Sequence, residues 1–220
     1  MKKIIYIFCF VLISFSIDAQ IDTTLYLKNP NYQQELSLYD AYKTKQADIV
    51  MLGNSITHGA NWNELLGRQN VVERGISSDV LDGYLARLNY VILLKPKFVF
   101  IMAGINDIYN WLPVEKIFEK YVRLIGELKK NNIKPIIQST LFAGSKWKSY
   151  SDRNKEVIKL NKMLSDFAKK NLIKYIDLNK KLSAKNILIA DYTYDGLHLN
   201  GKGYAIWATE VDKVLRKYSF

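Results

Sequence analysis

Two kinds of apolar pattern alternate along the chain beyond residue 47. Short runs rich in β-branched residues are typical of buried parallel strands, and they predict strands over residues 48–52, 71–73, 98–102, 135–138 and 173–176. Longer segments with apolar residues every three or four positions predict helices over residues 80–94, 114–131, 152–170 and 203–217. This alternation predicts an α/β fold: a single three-layer α/β/α domain with a parallel five-stranded sheet.

Local signals place several of the helix ends. Pro113 suits the first turn of its helix, because its missing N–H has no partner there. Ser151 is a candidate N-terminal cap, and the helix over residues 80–94 must end before Pro96. Residues 21–47 form a lead-in to which the pattern assigns no structure.

The N-terminus has the pattern of an export signal. Two lysines precede an uncharged apolar run over residues 4–17, which is short for a membrane span but typical of a signal peptide. Cleavage near Ala19 is expected, giving a signal peptide over residues 1–19 and a folded domain over residues 20–220. We therefore expect a periplasmic or secreted protein with no stable membrane anchor after cleavage. An uncleaved N-terminal anchor is the alternative.

Composition narrows the classes of function. The 220 residues are 49% hydrophobic and 24% charged, as in an ordinary globular domain. One Cys and two His exclude an internal disulfide and a Cys- or His-rich metal site, so no metal or cofactor is expected. The net charge of +11 comes mostly from scattered lysines, without the Arg–Lys–aromatic clusters of nucleic-acid sites. We expect no nucleic-acid partner, although a general attraction to anions stays open. The sequence does not indicate the oligomeric state.

Four polar segments follow predicted strands or precede the last helix. They are Gly-Asn-Ser-Ile-Thr-His-Gly over residues 53–59, Arg-Gly-Ile-Ser over 74–77, Gly-Ile-Asn-Asp over 104–107 and Asp-Gly-Leu-His over 195–198. Sites in open α/β sheets form at the carboxyl ends of strands, so these segments are expected to lie together. A serine at a tight strand-to-helix turn can expose its Oγ, and a glycine there can turn its backbone N–H into a site.

In this order, the four segments resemble the sequence blocks of the SGNH hydrolases, also called the GDSL esterase/lipase family. The resemblance covers nearly the whole chain beyond residue 47 and implies a flavodoxin-like fold. It implies that Ser55 is the nucleophile, His198 the general base and Asp195 its partner. It also implies an oxyanion hole formed by the backbone N–H groups of Ser55 and Gly75 and the side chain of Asn106.

These residue types suit ester hydrolysis. A serine hydroxyl needs a base to take its proton as it attacks, and imidazole titrates near neutral pH. A carboxylate on the other ring nitrogen fixes the tautomer, and N–H donors stabilise the oxyanion. Asp191 is a rival partner for His198, and His58 is expected to point away from Ser55. Asn54 and Asp107 are expected to brace the loops by hydrogen bonds.

The substrate is less well determined. The first segment has Asn where the family name reflects Gly-Asp-Ser, and this variant resembles the carbohydrate-esterase and sialate-esterase-like branches. The residues expected to bind substrate are Tyr109, Trp111, Trp147 and His58; the same loops carry Trp62, Tyr150, Lys146 and Lys148.

The expected function is a serine esterase that removes small acyl groups, acetyl above all, from a small-molecule or glycan substrate. Two alternatives stay open. One is a lysophospholipase or thioesterase of the same family. The other is a catalytically silent α/β domain that binds a glycan or a protein partner.

Overall fold

The computed structural model describes residues 24–220. The predicted signal peptide over residues 1–19 and its cleavage site lie outside the described residues, so both stay predictions. Within residues 24–220, no helix is both long enough and apolar enough to cross a membrane.

Five parallel strands form the central sheet, in the spatial order β2-β1-β3-β4-β5. Their bounds are β1 Ile49–Gly53, β2 Val71–Gly75, β3 Phe98–Ile101, β4 Lys134–Gln138 and β5 Lys174–Ile176. All five predicted strands are present, with ends that differ from the expected ones by one or two residues. Each residue of β1 and β3 is buried, as expected for central strands covered by helices on both faces. The strand order is that of a flavodoxin-like sheet, which confirms the predicted fold class.

Helices cover both faces of the sheet. They are α1 Pro30–Ala41, α2 Ser55–His58, α3 Trp62–Leu66, α4 Leu81–Ala86, α5 Asn89–Ile92, α6 Ile105–Tyr109, α7 Val114–Lys130, α8 Tyr150–Lys170, α9 Asn179–Leu182 and α10 Gly201–Lys217. Helices α4, α7 and α8 contact one another on one side, and α10 contacts α3 and α9 on the other. The remaining pieces are two 3₁₀ turns, Leu25–Lys28 and Ala190–Tyr192, and a short antiparallel hairpin of β6 Ser183–Ala184 and β7 Ile187–Leu188.

The apolar stripes explain which helix faces are buried. On α7, Ile117, Tyr121 and Leu124 are fully buried against the sheet and α8. On α10, Trp207 is fully buried and donates a hydrogen bond of 2.5 Å from Nε1 to Gln138 Oε1 at the end of β4. Each such apolar side chain contributes about 1.5–3 kcal/mol of burial free energy, so the two layers hold the sheet rigidly.

Two helix predictions are wrong in detail. The segment over residues 80–94 contains two short helices, α4 and α5, because the chain leaves helical geometry at Arg87, whose φ is −103° and ψ 13°. The Arg87 side chain turns into the protein, where it is completely buried. Helix α8 begins at Tyr150 rather than at residue 152, so Ser151 lies inside the helix and is not its cap.

The lead-in over residues 21–47, to which the sequence assigned no structure, contains α1 in its described part. Asn29 caps this helix by accepting a hydrogen bond from the Asn31 N–H at 3.0 Å, and Pro30 occupies the first turn. The Tyr39 hydroxyl donates to the Gly75 carbonyl at 3.1 Å. Helix α1 therefore holds the end of β2 from outside the sheet.

Candidate active site

Ser55 stands at the sharp turn from β1 into α2, at the carboxyl edge of the sheet. Asn54 caps α2 by accepting the Ile56 N–H at 3.0 Å, which confirms its predicted bracing role. A side chain at Gly53 would overlap Thr57 of the same helix, so the tight turn requires glycine there. As the first residue of α2, Ser55 has a backbone N–H without an intrahelical acceptor, beside a half-buried hydroxyl.

His198 and Asp195 complete a hydrogen-bonded chain with Ser55. The His198 Nε2 lies 3.0 Å from the Ser55 Oγ, and the His198 Nδ1 lies 2.6 Å from the Asp195 Oδ2. The other Asp195 oxygen accepts the backbone N–H groups of Leu197 and His198, each at 2.8 Å. Partial burial alone would raise the pKa of Asp195, but the His198 ring and these two N–H groups outweigh it and hold the pKa below its usual value.

The loop that carries this pair is held by Thr193, which the sequence analysis did not single out. The Thr193 Oγ1 donates to the His198 carbonyl at 2.6 Å and accepts the Gly196 N–H at 2.8 Å. Gly196 has a φ of +98°, which permits the tight turn between Asp195 and His198. The turn therefore fixes the orientation of the imidazole before any substrate binds.

The two rivals lie elsewhere. The carboxylate that contacts His198 is that of Asp195, not that of Asp191. The backbone carbonyl of Asp191 accepts a hydrogen bond from the Asn200 side chain at 2.8 Å. His58 points away from Ser55, as expected. Its Nδ1 lies 3.5 Å from Glu73 and its Nε2 3.9 Å from Glu35. The hydrogen bond with Glu73 raises the pKa of His58 although partial burial opposes it.

Asn106 lies at the same carboxyl edge of the sheet, in the first turn of α6. Its Nδ2 donates one hydrogen bond to the Asp79 carbonyl at 2.8 Å, which leaves the second amide hydrogen for a ligand. Gly104, with a φ of +101°, lets α6 start close to α8, since a side chain there would meet Leu160. Asp107 accepts the Leu81 N–H at 3.1 Å, so it braces α4 against α6 as expected; burial raises its pKa to about 7.

A buried ion pair supports Asn106 from below. Arg87 and Asp79 have fully buried side chains and are joined by a 2.8 Å bond from Arg87 Nε to Asp79 Oδ2. Arg87 also donates to the backbone carbonyls of Arg74 at 3.1 Å and Gly53 at 3.0 Å. One side chain thus ties the ends of β1 and β2 to the segment whose carbonyl orients Asn106. This pair could not be predicted from the sequence, because an isolated Asp and Arg eight residues apart form no distinctive motif.

The backbone N–H of Gly75 is not available as the oxyanion donor that the sequence predicted. Its N–H donates to the Glu73 carboxylate, so it is engaged and not free for an oxyanion. A Cβ at Gly75 would lie 2.6 Å from the His58 backbone nitrogen and 2.7 Å from the Asn54 carbonyl oxygen. Gly75 therefore allows β2 to approach α2 closely, and its role here is one of packing.

Ser78, three residues after Gly75, is a second candidate for a backbone donor. Its φ is +62°, a left-handed conformation uncommon for serine, and its N–H has no acceptor within residues 24–220. It directly precedes Asp79, whose carbonyl holds the Asn106 side chain. The adjacent Ser-Ser-Asp sequence signals a turn, but a positive φ at serine cannot be read from the sequence.

Aromatic rings surround His198. Trp147 contacts its imidazole edge-on at a centroid distance of 6.0 Å. Tyr194, which was not among the predicted residues, stacks on the other side at 5.8 Å with an interplanar angle of 15° and is 69% exposed. Trp62 was expected in a pocket loop, but it is buried against Trp207 and belongs to the core.

A second aromatic group lies at the end of α6, next to the segment that carries Trp147 and to the first turn of α8. Tyr109 donates its hydroxyl to the Lys148 carbonyl at 3.1 Å. Trp111 is 76% exposed, and the Arg153 Cζ lies 3.0 Å from the centroid of its ring. Arg153 is 4% exposed; within residues 24–220 its buried Nε has no hydrogen-bond partner, and its guanidinium forms no ion pair. A buried cation without a protein anion is costly, which makes this guanidinium a candidate contact for an anionic ligand.

The family model of the GDSL-like lipase/acylhydrolase family matches residues 51–206. The structure is similar to that of a GDSL-like lipase from Bacteroides thetaiotaomicron, with a TM-score of 0.75 and 26% identity over 86% of this chain and 98% of that one. A lipase/acylhydrolase from Enterococcus faecalis has the same fold, with a TM-score of 0.69 and 22% identity over 79% of this chain and 97% of that one.

One curated relative is longer than this chain. The N-acylneuraminate cytidylyltransferase of Streptococcus agalactiae serotype V is 28% identical over 163 residues. The match covers 73% of this chain and 37% of the relative, so the chain spans little more than a third of that protein. The family match and the SGNH hydrolase fold together define the class: this chain belongs to the GDSL-like lipase/acylhydrolase family.

Proposed function

We propose that this protein is a serine esterase that removes small acyl groups, acetyl above all, from carbohydrates. The observation that carries the proposal is the hydrogen-bonded chain from Ser55 through His198 to Asp195, with distances of 3.0 and 2.6 Å. A serine hydroxyl whose base is already oriented by a carboxylate is the arrangement that nucleophilic acyl transfer requires.

In the proposed reaction, the Ser55 Oγ attacks the ester carbonyl carbon while His198 Nε2 takes its proton. The tetrahedral intermediate collapses when His198 returns the proton to the departing sugar oxygen, leaving an acyl group on Ser55. Water then attacks this acyl-enzyme with His198 again as base, and the carboxylic acid leaves as Ser55 recovers its proton. Asp195 holds Nδ1–H throughout and stabilises the imidazolium.

We propose that three N–H groups stabilise the oxyanion: those of the Ser55 and Ser78 backbones and the free hydrogen of the Asn106 amide. Ser78 replaces the predicted Gly75 because the Gly75 N–H is engaged by Glu73. Losing one such donor costs about 3–4 kcal/mol of barrier, so Asn106→Ala should lower kcat by two to three orders of magnitude. Ser78→Gly keeps the N–H and the positive φ, and should retain activity.

Three observations favour an acetylated sugar, and an acidic one in particular. Flat rings flank His198, and Trp111 stands exposed nearby, which suits the faces of a sugar ring. The unpaired Arg153 guanidinium beside them suits a carboxylate. The curated relative is named for N-acylneuraminate, an acidic sugar. We also propose export to the periplasm or medium, based on the apolar run over residues 4–17.

The first test is hydrolysis of 4-nitrophenyl esters from acetate to octanoate. Ser55→Ala and His198→Ala should abolish activity. The matched variants Ser77→Ala and His58→Ala should keep it, because neither side chain takes part in the hydrogen-bonded chain. A preference for acetate supports the proposal, whereas activity that peaks at octanoate moves the substrate to lipids or thioesters. Absence of Ser55-dependent turnover on these esters and on acetylated sugars would favour the silent binding domain.

A second test addresses the sugar itself. Wild type and Arg153→Gln are compared on an O-acetylated neutral sugar and on O-acetylated N-acetylneuraminate. A charge-assisted contact is worth about 1.5–3 kcal/mol, so the variant should lose roughly 10- to 150-fold in kcat/KM on the acidic sugar alone. Equal losses on both sugars would assign Arg153 to structure and remove the argument for an acidic substrate.

A further inference from the structure

Six lysines cluster at the edge of the sheet opposite Ser55, where strands β4 and β5 begin. Lys129 and Lys130 end α7, Lys169 and Lys170 end α8, and the neighbouring strands start at Lys134 and Lys174. We call this group the basic edge. Five of the six are exposed and Lys174 is partly exposed. Within residues 24–220, none of the six forms an ion pair with a carboxylate.

Lysines elsewhere on the same helices are paired. Along α8, Lys155 contacts Asp152 at 2.9 Å, Lys159 contacts Glu156 at 2.8 Å, and Lys162 contacts Asp166 at 2.6 Å. On α7, Lys116 contacts Glu119 at 2.9 Å. Glu127 and Asp166 lie one turn before the lysines that end α7 and α8, but within residues 24–220 Asp166 pairs with Lys162 and neither carboxylate forms an ion pair with the basic edge.

The helix dipole accounts for part of this pattern and not for all of it. Lysines in a last helical turn are stabilised by the partial negative charge of the helix end, which applies to the pairs that end α7 and α8. Lys134 and Lys174 begin strands, where no such dipole acts. Six like charges on one edge repel one another, so an anionic partner would stabilise the cluster.

An exposed leucine lies within the basic edge. Leu172, in the turn between α8 and β5, is 96% exposed, and its φ is +55°. That backbone conformation favours Gly or Asn, so a leucine there has neither a packing nor a conformational reason. Tyr218 stands beside it, 42% exposed, with Lys134 Nζ 5.1 Å from its ring centroid; both line one shallow depression with Leu172.

We propose that the basic edge is a docking surface for an anionic phospholipid bilayer. Peripheral membrane binding combines two features. Lysines are attracted to the phosphate headgroups, and an apolar side chain between them enters the boundary of the acyl chains. A nucleic acid would use the charge but leave Leu172 in water. The basic edge lies at the amino ends of the strands and Ser55 at their carboxyl ends, so docking leaves the candidate active site facing away from the bilayer. The proposal does not depend on which ester the protein cleaves.

Sedimentation with vesicles tests it. The purified protein is mixed with phosphatidylcholine vesicles, with and without 30% phosphatidylglycerol, at about 0.1 M salt. We expect binding to the anionic vesicles, and weaker binding at 0.5 M salt because the charges are then screened. Each lysine near such a surface strengthens partitioning about fivefold, so neutralising Lys129, Lys130, Lys169 and Lys170 to Gln should weaken it a hundredfold or more. Leu172→Ser should weaken it about tenfold.

The matched control is the variant with Lys116, Lys155, Lys159 and Lys162 changed to Gln, which alters the net charge equally. All variants keep the same N-terminus, so residues 4–17 contribute equally, and a melting curve checks their folding. The control should bind nearly as well as wild type. Equal loss in both quadruple variants would overturn the proposal, since net charge alone would then explain binding. Equal binding to vesicles with and without phosphatidylglycerol would also overturn it. So would a Leu172→Ser variant that binds the anionic vesicles as tightly as wild type does and binds duplex DNA just as tightly.

Discussion

The Arg87–Asp79 pair links stability to the candidate site, and replacing Arg87 by Met tests that link. The change removes three hydrogen bonds, to Asp79, the Arg74 carbonyl and the Gly53 carbonyl, all from a fully buried side chain. Asp79 is then left in the interior with the Val80 N–H as its one remaining donor in the described part of the chain, residues 24–220. Removing one partner of a buried pair costs about 3–5 kcal/mol. For a domain of this size, that lowers Tm by roughly 6–20 °C.

The pH dependence of this loss has a definite sign. Burial raises the pKa of Asp79 to about 6 although Arg87 lowers it, so removing Arg87 raises the pKa further. A carboxyl whose pKa is higher in the folded state contributes stability at low pH and loses it as pH rises through the folded pKa. The Arg87→Met variant should therefore be less destabilised at pH 5 than at pH 8.

Urea denaturation at these two pH values, with kcat on an acetate ester measured in parallel, checks the reasoning. The double variant with Asp79→Asn should recover part of the loss, since the unpaired charge is gone. A loss below about 1 kcal/mol for Arg87→Met at pH 8, or a double variant less stable than the single one, would refute the assignment of a cooperative buried pair.

Three further predictions concern neighbouring residues. His58→Gln should lower Tm below pH about 6.5, where the protonated His58 of the wild type pairs with Glu73. The effect should vanish as pH rises through the raised pKa of His58, because the wild-type imidazole then loses its charge; melting curves from pH 5 to 9 decide this. Tyr194→Ala should lower kcat/KM about 2- to 12-fold by removing the stack on the base, with Tyr194→Phe close to wild type; equal losses in both would rule out stacking as the cause. Gly75→Ala should destabilise by about 1–3 kcal/mol because its Cβ meets backbone, whereas Gly126→Ala, with open space around it on α7, should stabilise slightly; thermal melts that rank them the other way contradict the packing role.

Much of the fold follows from local pattern. The β-branched runs identify all five strands, since central parallel strands are apolar on both faces and short. The stripe on α7 predicts its bounds within one residue. The break at Arg87 was missed because it is caused by a long-range contact with Asp79 and Gly53 rather than by a local breaker.

The site divides in the same way. Residues in distinctive short segments, such as Ser55, Asn106 and His198, could be placed from sequence because each segment follows a strand or precedes a helix at one edge. The surroundings and conformation of single backbone groups could not be predicted: the Gly75 N–H donates to the Glu73 carboxylate, and Ser78 adopts a positive φ. Whether an aromatic ring packs in the core or flanks the site depends on its tertiary position, which the spacing of apolar residues along the chain does not indicate.

The central claim is that Ser55 is a nucleophile activated by His198. The most direct measurement is labelling with a fluorophosphonate, followed by mass spectrometry of the modified peptide. We expect one adduct, on Ser55, that forms in wild type and in His58→Ala and is lost in His198→Ala. Labelling at another serine, or an adduct on Ser55 that forms equally fast without His198, would contradict it.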